Sequence, residues 1–446
     1  MATGRLAVIE QAPASAGACC AACAVAAPAP APLVGRRPSI GRDLDRRVTA
    51  GGLLVAIGFV AAAIVAAVVG AVGGRTVWLP LHLALAGGAG TAVAAVLPFF
   101  TAALAVAVPA SPRARMVSIA LVAVGAAVVS AAVAGGQMLL GAIGGTLYLV
   151  GIGGVALVAF RPLRGALGPR RRPVELAYAS ALAQVATSVA IATAFLAGWM
   201  PVVERWSTLK AAHGWLNVVG FVSLVIVATL VHLAPTVEGG RIVRRRSSTI
   251  ALAGIAVGVP LIAAGYAVDM DVLARLGAAM ALVGAVAVPV HALAVARDRG
   301  RWTNELAWHR FTSGSLRAAS GWFVAAIAVA AGRVIWFGAD PAGWSIGLVA
   351  VPLAVGWVLQ VLIGSWSHLL PAIGPGDQPA HAVQRRTLGR LAGPRLLALN
   401  GGVAALWFGG VLEIPVASTL GAACIGAALL SAVALAARAA RPTRRY

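Results

Sequence analysis

Long uninterrupted apolar runs, separated by short arginine-rich connections, fill the chain from about residue 50 to its C-terminal end. A hydrocarbon core about 30 Å thick asks for about 20 such residues in a helix that rises about 1.5 Å per residue. Twelve segments answer to that description: 50–73, 80–108, 116–135, 138–160, 176–199, 211–235, 249–268, 272–296, 318–338, 344–370, 396–412 and 415–437. The runs are continuously apolar, not alternating over about 10 residues, which excludes a membrane β-barrel. The pattern therefore predicts an all-α integral membrane domain over 49–438. Before it, residues 1–48 are Ala/Pro-rich and lack helical periodicity, the composition of a disordered cytoplasmic tail. A signal peptide is not expected, because the leader's apolar stretch is short, broken by prolines and followed by its arginines. Residues 439–446 form a short basic tail.

Composition sharpens this picture. Of 446 residues, 60% are hydrophobic and only 11% charged, with a mean hydropathy of +0.92. Ordinary soluble domains carry about 25% charged residues, so a soluble globule is excluded for the chain as a whole. The net charge of +22 would suggest nucleic acid in a polar protein. Here it sorts by topology. With the N-terminus inside, 30 of the 35 Lys and Arg residues fall in cytoplasmic segments, and only Arg75, Arg205, Lys210, Arg275 and Arg333 lie at or near the outside. That is the positive-inside distribution, with an even number of helices and both termini cytoplasmic. The protein is expected to be multi-pass in the plasma (inner) membrane. Its partners are then the lipid bilayer, with anionic headgroups at the basic face, and not nucleic acid. Trp78, Trp199, Trp206, Trp215, Trp336 and Trp344 gather near the outer ends, as an aromatic belt would.

Against so apolar a background, each embedded polar group is a candidate for function. His82, His213, His232 and His368 occupy only the second, sixth and tenth segments. His291 lies near the inner end of the eighth, and His309 and His381 are expected in cytoplasmic loops. The three histidine-bearing segments end alike, at Pro98, Pro235 and Pro371, separated by 137 and 136 residues. That spacing suggests three units of four helices, although prolines near helix ends can coincide by chance. His213 and His232, 19 residues apart, are separated by about 28 Å along a helix and cannot share a ligand. Two paired sites are left open: His82 with His213 at the outer face, and His232 with His368 at the inner face. Imidazole suits haem iron or copper. Interfacial histidines without a ligand are the plainer alternative. Gly87, Gly88 and Gly90 follow His82, and Gly214 and Gly220 follow His213. They would admit a flat macrocycle or simply a neighbouring helix. Asn217, one turn after His213, could orient its ring. Arg333 would suit a haem propionate or another carboxylate, or would snorkel to the outer surface. Gln184, Gln360, Tyr148, Tyr178, Tyr266 and Asn400 are embedded too, but define no path by sequence. Cys19, Cys20 and Cys23 could bind a soft metal or stay reduced in the tail. Cys424 is expected to be packed within the twelfth segment.

Twelve helices, both ends inside, a threefold spacing and histidines on segments 2, 6 and 10 resemble the haem-copper oxidase subunit I superfamily, which includes the NnrS-type proteins. The stretch HGWLNVVGFVSLVIVATLVHLAPTVEGGRI (213–242) is similar to a helix of membrane regions attached to bacterial multicopper oxidases and copper nitrite reductases. The resemblance implies a pseudo-threefold 4+4+4 bundle. It makes His82 a haem ligand and places His213 on the helix that supplies a copper ligand. It further implies haem and/or copper as cofactor, and a copper-containing redox protein as partner in electron transfer or in nitrogen-oxide or copper metabolism. The seventh segment has no histidine and no Glu or Lys is embedded, so full oxygen reduction is not expected. A twelve-helix secondary transporter is the alternative, since Asp298-Arg299-Gly300-Arg301 echoes part of a loop signature of the major facilitator class. A cofactor-free assembly subunit is the other.

Overall fold

A computed structural model describes residues 40–72, 77–168, 171–243, 245–298, 306–373 and 378–439. The chain divides into two units, Met1–Leu44 and Asp45–Tyr446, and the second contains the bundle. Most of the expected leader, with Cys19, Cys20 and Cys23, lies outside the described residues, as do Arg75, the Arg299–Arg301 stretch and residues 440–446 of the basic tail. Among the described residues the chain is helical and contains no strand.

Among the described residues, twelve long helices follow one another: α1 (Ile40–Val72), α2 (Trp78–Ala105), α3 (Pro112–Ala134), α4 (Met138–Phe160), α5 (Arg172–Leu196), α6 (Trp206–Glu238), α7 (Arg246–Val268), α8 (Asp271–Arg297), α9 (Leu306–Phe337), α10 (346–373), α11 (Ala392–Val411) and α12 (Pro415–Ala439). Eleven of them are long and apolar enough to cross a membrane; α11 is not counted among these. Its 20 residues suffice in length, but Arg395 and Asn400 make it more polar than the rest. Two boundaries differ from expectation. α1 starts at Ile40, inside the stretch expected to be disordered. α9 starts at Leu306, so that His309 is helical and only 5% exposed instead of lying in a loop. His381 likewise falls in a helix, Gln378–Leu388.

The most extensive helix contacts are the hairpins α3–α4, α7–α8 and α11–α12. Their turns are made by Gly136, Asp269 and Glu413, all at positive φ. Their helices touch through glycine. A Cβ on Gly125, Gly258 or Gly402 would lie 2.6, 2.6 or 3.0 Å from the amide nitrogen of Tyr148, Ala281 or Ile425. It would lie 2.8, 2.7 or 2.9 Å from the carbonyl oxygen of Gly144, Gly277 or Gly421. Turn and contact residues thus recur at intervals of 133 and then 144 residues. Between helices in lipid, where apolar surface gives no drive to associate, such close backbone approach supplies van der Waals contact. The longer second interval reflects the connection between α10 and α11, where helix Gln378–Leu388 is inserted.

A second regularity concerns α2, α6 and α10. Each contains a π-helical stretch, at Leu83–Ala89, Trp215–Ser223 and Val351–Leu359. In each stretch a side chain of the preceding helix rests on a glycine: Phe59 on Gly87, Gln184 on Gly220 and Trp322 on Gly356. In α10, Pro352 has no N–H to offer the Leu348 carbonyl, and Trp407 Nε1 of α11 donates to it instead at 2.7 Å.

α6 is the centre of the bundle, with 78% of its most apolar window buried against 17% for α1 and for α12. Leu54, Leu139, Leu157, Leu176, Val272 and Leu430 are exposed on the outside, where lipid tails would cover them. Cys424, expected to be packed, is also exposed there. Several arginines of the basic end are structural as well as topological. Arg115 is buried and donates to Asp45 Oδ1 at 3.1 Å, to Thr49 Oγ1 at 2.6 Å and to the Ala95 carbonyl at 3.3 Å, tying α1, α2 and α3 together. Arg317 of α9 grips Glu238 of α6 with two bonds of 3.1 and 2.5 Å. Arg245 pairs with Asp298. Arg395 donates to the Leu388 carbonyl and lies 3.7 Å over the ring of Phe311.

Candidate functional site

His82 and His213 come together at the arginine-poor end. Their rings are 6.4 Å apart, centre to centre, and 13° from parallel. His82 lies one turn after Trp78. Its Nδ1–H donates to the Trp78 carbonyl at 2.8 Å, and its ring stacks on the Trp78 indole at 4.0 Å. His213 is fixed from α5. Its Nδ1 lies 3.0 Å from the Ser188 carbonyl and 2.9 Å from Ser188 Oγ, while Ser188 Oγ–H donates to the His213 carbonyl at 3.1 Å. A carbonyl only accepts, so Nδ1 of both histidines carries the proton and Nε2 is the atom with a free lone pair. Asn217 completes the cradle, donating from Nδ2 to Ser188 Oγ at 2.5 Å and to the His213 carbonyl at 3.0 Å, with Nδ2 3.2 Å from His213 Nε2. Trp206 closes one side, its ring 6.3 Å from His213 and stacked on Phe195.

The glycines beside these histidines are occupied. Phe59 covers Gly87, Val60 covers Gly88, Tyr148 covers Gly90 and Trp344 covers Gly214. They serve helix packing, and leave no slot for a macrocycle there. Arg333 is engaged by backbone: Nε donates to the Gly343 carbonyl at 3.1 Å and Nη2 to Ala342 at 2.5 Å. It holds the turn that leads to Trp344, which packs on Gly214 and Trp215 next to His213. Arg333 thus braces the segment of His213 from a distance.

At the arginine-rich end, His232 and His368 each have a different neighbour. The His368 ring lies 6.0 Å from that of His309, at 36°. His232, 8% exposed with neither ring nitrogen hydrogen-bonded, is within electrostatic reach of His291 and Arg171. The reason is α9, which packs against both α6 and α10 and supplies His309. His291 lines a small enclosed cavity of about 20 Å³ with Ser248, Ser320 and apolar neighbours. Among the described residues no group of three or more His, Cys, Asp or Glu side chains is placed to hold a metal ion.

The sequence reading missed Ser188, whose carbonyl and hydroxyl orient His213. A signal was present: Ser180, Gln184 and Ser188 stand at i, i+4 and i+8, a polar stripe on one face of an apolar helix. No model of a known protein family matches the chain, and no curated protein matches it. The geometry alone therefore defines the class: a polytopic helical membrane protein with a histidine pair between two of its helices.

Proposed function

We propose that this protein is a divergent relative of the haem-copper oxidase-like membrane proteins and binds a redox metal between His82 and His213. The observation that carries the reading is the paired imidazoles. Two rings that share one ion from opposite sides, each at a bond of about 2.0–2.1 Å, have centres about 6–6.5 Å apart. The observed 6.4 Å falls in that range. Both Nδ1–H groups are bonded to backbone carbonyls, the second-shell arrangement that fixes a ligating histidine and leaves Nε2 for the metal. For His213 Nε2 to ligate, the Asn217 amide has to swing away from it. Imidazole ligands suit copper, and the filled glycines favour a single ion over haem. Bound copper would supply one-electron chemistry, while this chain orients the imidazoles and shields them with Trp78 and Trp206. A copper-containing redox protein on the same side is the matching partner.

The recurrence of hairpins at intervals of 133 and 144 residues, with a π-helical stretch in each of α2, α6 and α10, supports three four-helix units. A transporter built of two six-helix halves would not repeat in this way. The arginine-rich end is read as cytoplasmic, in the plasma (inner) membrane.

Metal analysis and a pyridine-haemochrome spectrum of protein expressed with copper and haem supplied test the proposal. Copper near one equivalent is expected in the parent protein and in His368→Ala, and its loss in His82→Ala and His213→Ala. Neither copper nor haem in the parent, or equal copper in the double variant, would overturn it.

A further inference from the structure

An open groove of about 570 Å³ runs between α1, α2 and α3 on the outside of the bundle. α1 lends it Gly58 and Phe59, α2 Leu79 and Leu83, and α3 Ala127 and Ser130. Its size falls within the about 300–1,000 Å³ of small-molecule sites. Small residues keep it open. A Cβ on Gly58 would meet nothing within 4 Å, and Phe59 is held away by its place on Gly87. Among the described residues, its lining holds no charged side chain. On α3 the groove extends over residues 127–134, about 10 Å at about 1.5 Å per residue, toward the arginine-poor end. One leaflet of the hydrocarbon core is about 15 Å deep.

The groove has one hydroxyl that the protein leaves unused. Ser130 is 3% exposed, and its Oγ has no hydrogen-bond partner. A helical serine or threonine can bond the carbonyl four residues back. Other embedded hydroxyls do so: Ser118 to Ala114 at 2.9 Å, Thr146 to Ala142 at 3.0 Å and Ser320 to Leu316 at 2.8 Å. Thr193 and Ser315 are unbonded like Ser130, but a packed glycine closes each of them off, Gly145 and Gly364. Ser130 borders open space instead. A buried hydroxyl without a partner is costly, so its proton calls for an acceptor from outside the protein. The depth says which. The 23 residues of α3 span about 34 Å against a core of about 30 Å. Ser130 stands four residues before Ala134, about 6 Å along the helix, and so about 4 Å below the edge of the hydrocarbon. The acceptors nearest that level are the ester carbonyls of phospholipid.

We propose that the groove between α1, α2 and α3 is a binding site for one phospholipid of the leaflet at the arginine-poor side, with an acyl chain lying in it and an ester carbonyl accepting from Ser130 Oγ–H. The chain covers apolar wall and the carbonyl takes the unused proton. With no charge in the lining, the site selects the chain and its ester rather than the headgroup. Leu79 and Leu83 bracket His82 on the first turns of α2, so the bound chain also packs the flank of the turn that carries this histidine. The site does not depend on metal between His82 and His213.

The test uses the full-length protein, reconstituted with dioleoyl phosphatidylglycerol or dioleoyl phosphatidylethanolamine, re-extracted in mild detergent and weighed intact by native mass spectrometry. One retained phospholipid per chain is expected with either lipid. Gly58→Leu puts a side chain into the groove without meeting the protein, and should abolish retention. Gly153→Leu is the matched control, since a Cβ there also meets nothing within 4 Å but lies on α4 outside the groove, and should retain lipid as the parent does. Ser130→Ala should lower occupancy by about three- to tenfold, the effect of one neutral hydrogen bond. A photoactivatable diazirine phosphatidylcholine should cross-link to peptides of α1 and α3 in the parent and not in Gly58→Leu. A parent that keeps no phospholipid, or Gly58→Leu retaining as much as the parent, overturns the proposal. Retention that requires phosphatidylglycerol places the lipid on the arginines and overturns it too.

Discussion

Replacing Gly258 by alanine probes the contact that recurs in all three hairpins. The new Cβ would sit 2.6 Å from the Ala281 nitrogen and 2.7 Å from the Gly277 oxygen. A carbon in ordinary contact with such atoms needs about 3.3–3.6 Å, so α7 and α8 must part by about 0.7–1.0 Å. A gap of that size forfeits about a quarter to a half of the dispersion attraction along the interface. Overpacking of this kind costs about 1–3 kcal/mol. Alanine also gains up to about 1 kcal/mol in helix propensity over glycine, and that gain must be subtracted. Gly153→Ala measures it, since a Cβ there meets nothing within 4 Å. The expected order of thermal stability in detergent, read as folded protein surviving size-exclusion chromatography, is Gly153→Ala highest. Gly402→Ala follows, with contacts of 2.9–3.0 Å, and then Gly125→Ala and Gly258→Ala together, with contacts of 2.6–2.8 Å. If Gly258→Ala were as stable as Gly153→Ala, close helix approach would not be what binds the hairpins.

Three further outcomes are expected. Trp407→Phe strips the Leu348 carbonyl of its donor, and should destabilise the fold by about 1–3 kcal/mol in the same assay; no change would mean the bond is not formed. Arg317→Met removes the two-bond grip on Glu238 and should cost about 1.5–3 kcal/mol, with Arg317→Lys recovering part, because an ammonium cannot match the planar fork. In a background without the native cysteines, Leu167→Cys should react with a membrane-impermeant thiol reagent only in inside-out vesicles, and Met138→Cys only in right-side-out ones. The reverse labelling would invert the assigned orientation.

The sequence was most legible where periodicity and composition act alone. Continuous apolar runs located ten helices plus α12, because spanning a bilayer demands length and hydropathy and little else. The run at 396–412 was legible as a helix, yet Arg395 and Asn400 set it apart; Asn400 accepts from Trp322 Nε1 at 2.8 Å, an internal partner no linear pattern reveals. The proline spacing hinted at a repeat, but the sharper marker was the glycines at 125, 258 and 402. Their meaning appears only when Tyr148, Ala281 and Ile425 are seen against them. Depth along a helix correctly grouped His82 with His213. At the basic end it did not reveal His309 beside His368 or His291 near His232, because depth fixes height and not azimuth. Helix α9 reaches twelve residues further toward the basic end than its apolar run, and brings His309 to His368.

The three helix pairs α1–α2, α5–α6 and α9–α10 share one local design, a π-helical glycine covered by a side chain of the helix before it. They differ in what covers the glycine. Phe59 is apolar and Trp322 ties its indole N–H to Asn400, whereas Gln184 begins a polar stripe that rises through Ser188 to His213. The same helix pair therefore carries both the cradle of the candidate metal ligand and the polar stripe behind it. α6 is also the most buried of the candidate membrane spans. Trp322→Gln, set on Gly356 with Phe323 stacked on Trp357 behind it, loses both the ring and its bond to Asn400 Oδ1, and should destabilise the fold by about 1–3 kcal/mol in the detergent assay; unchanged stability would show that the ring is not what holds this position.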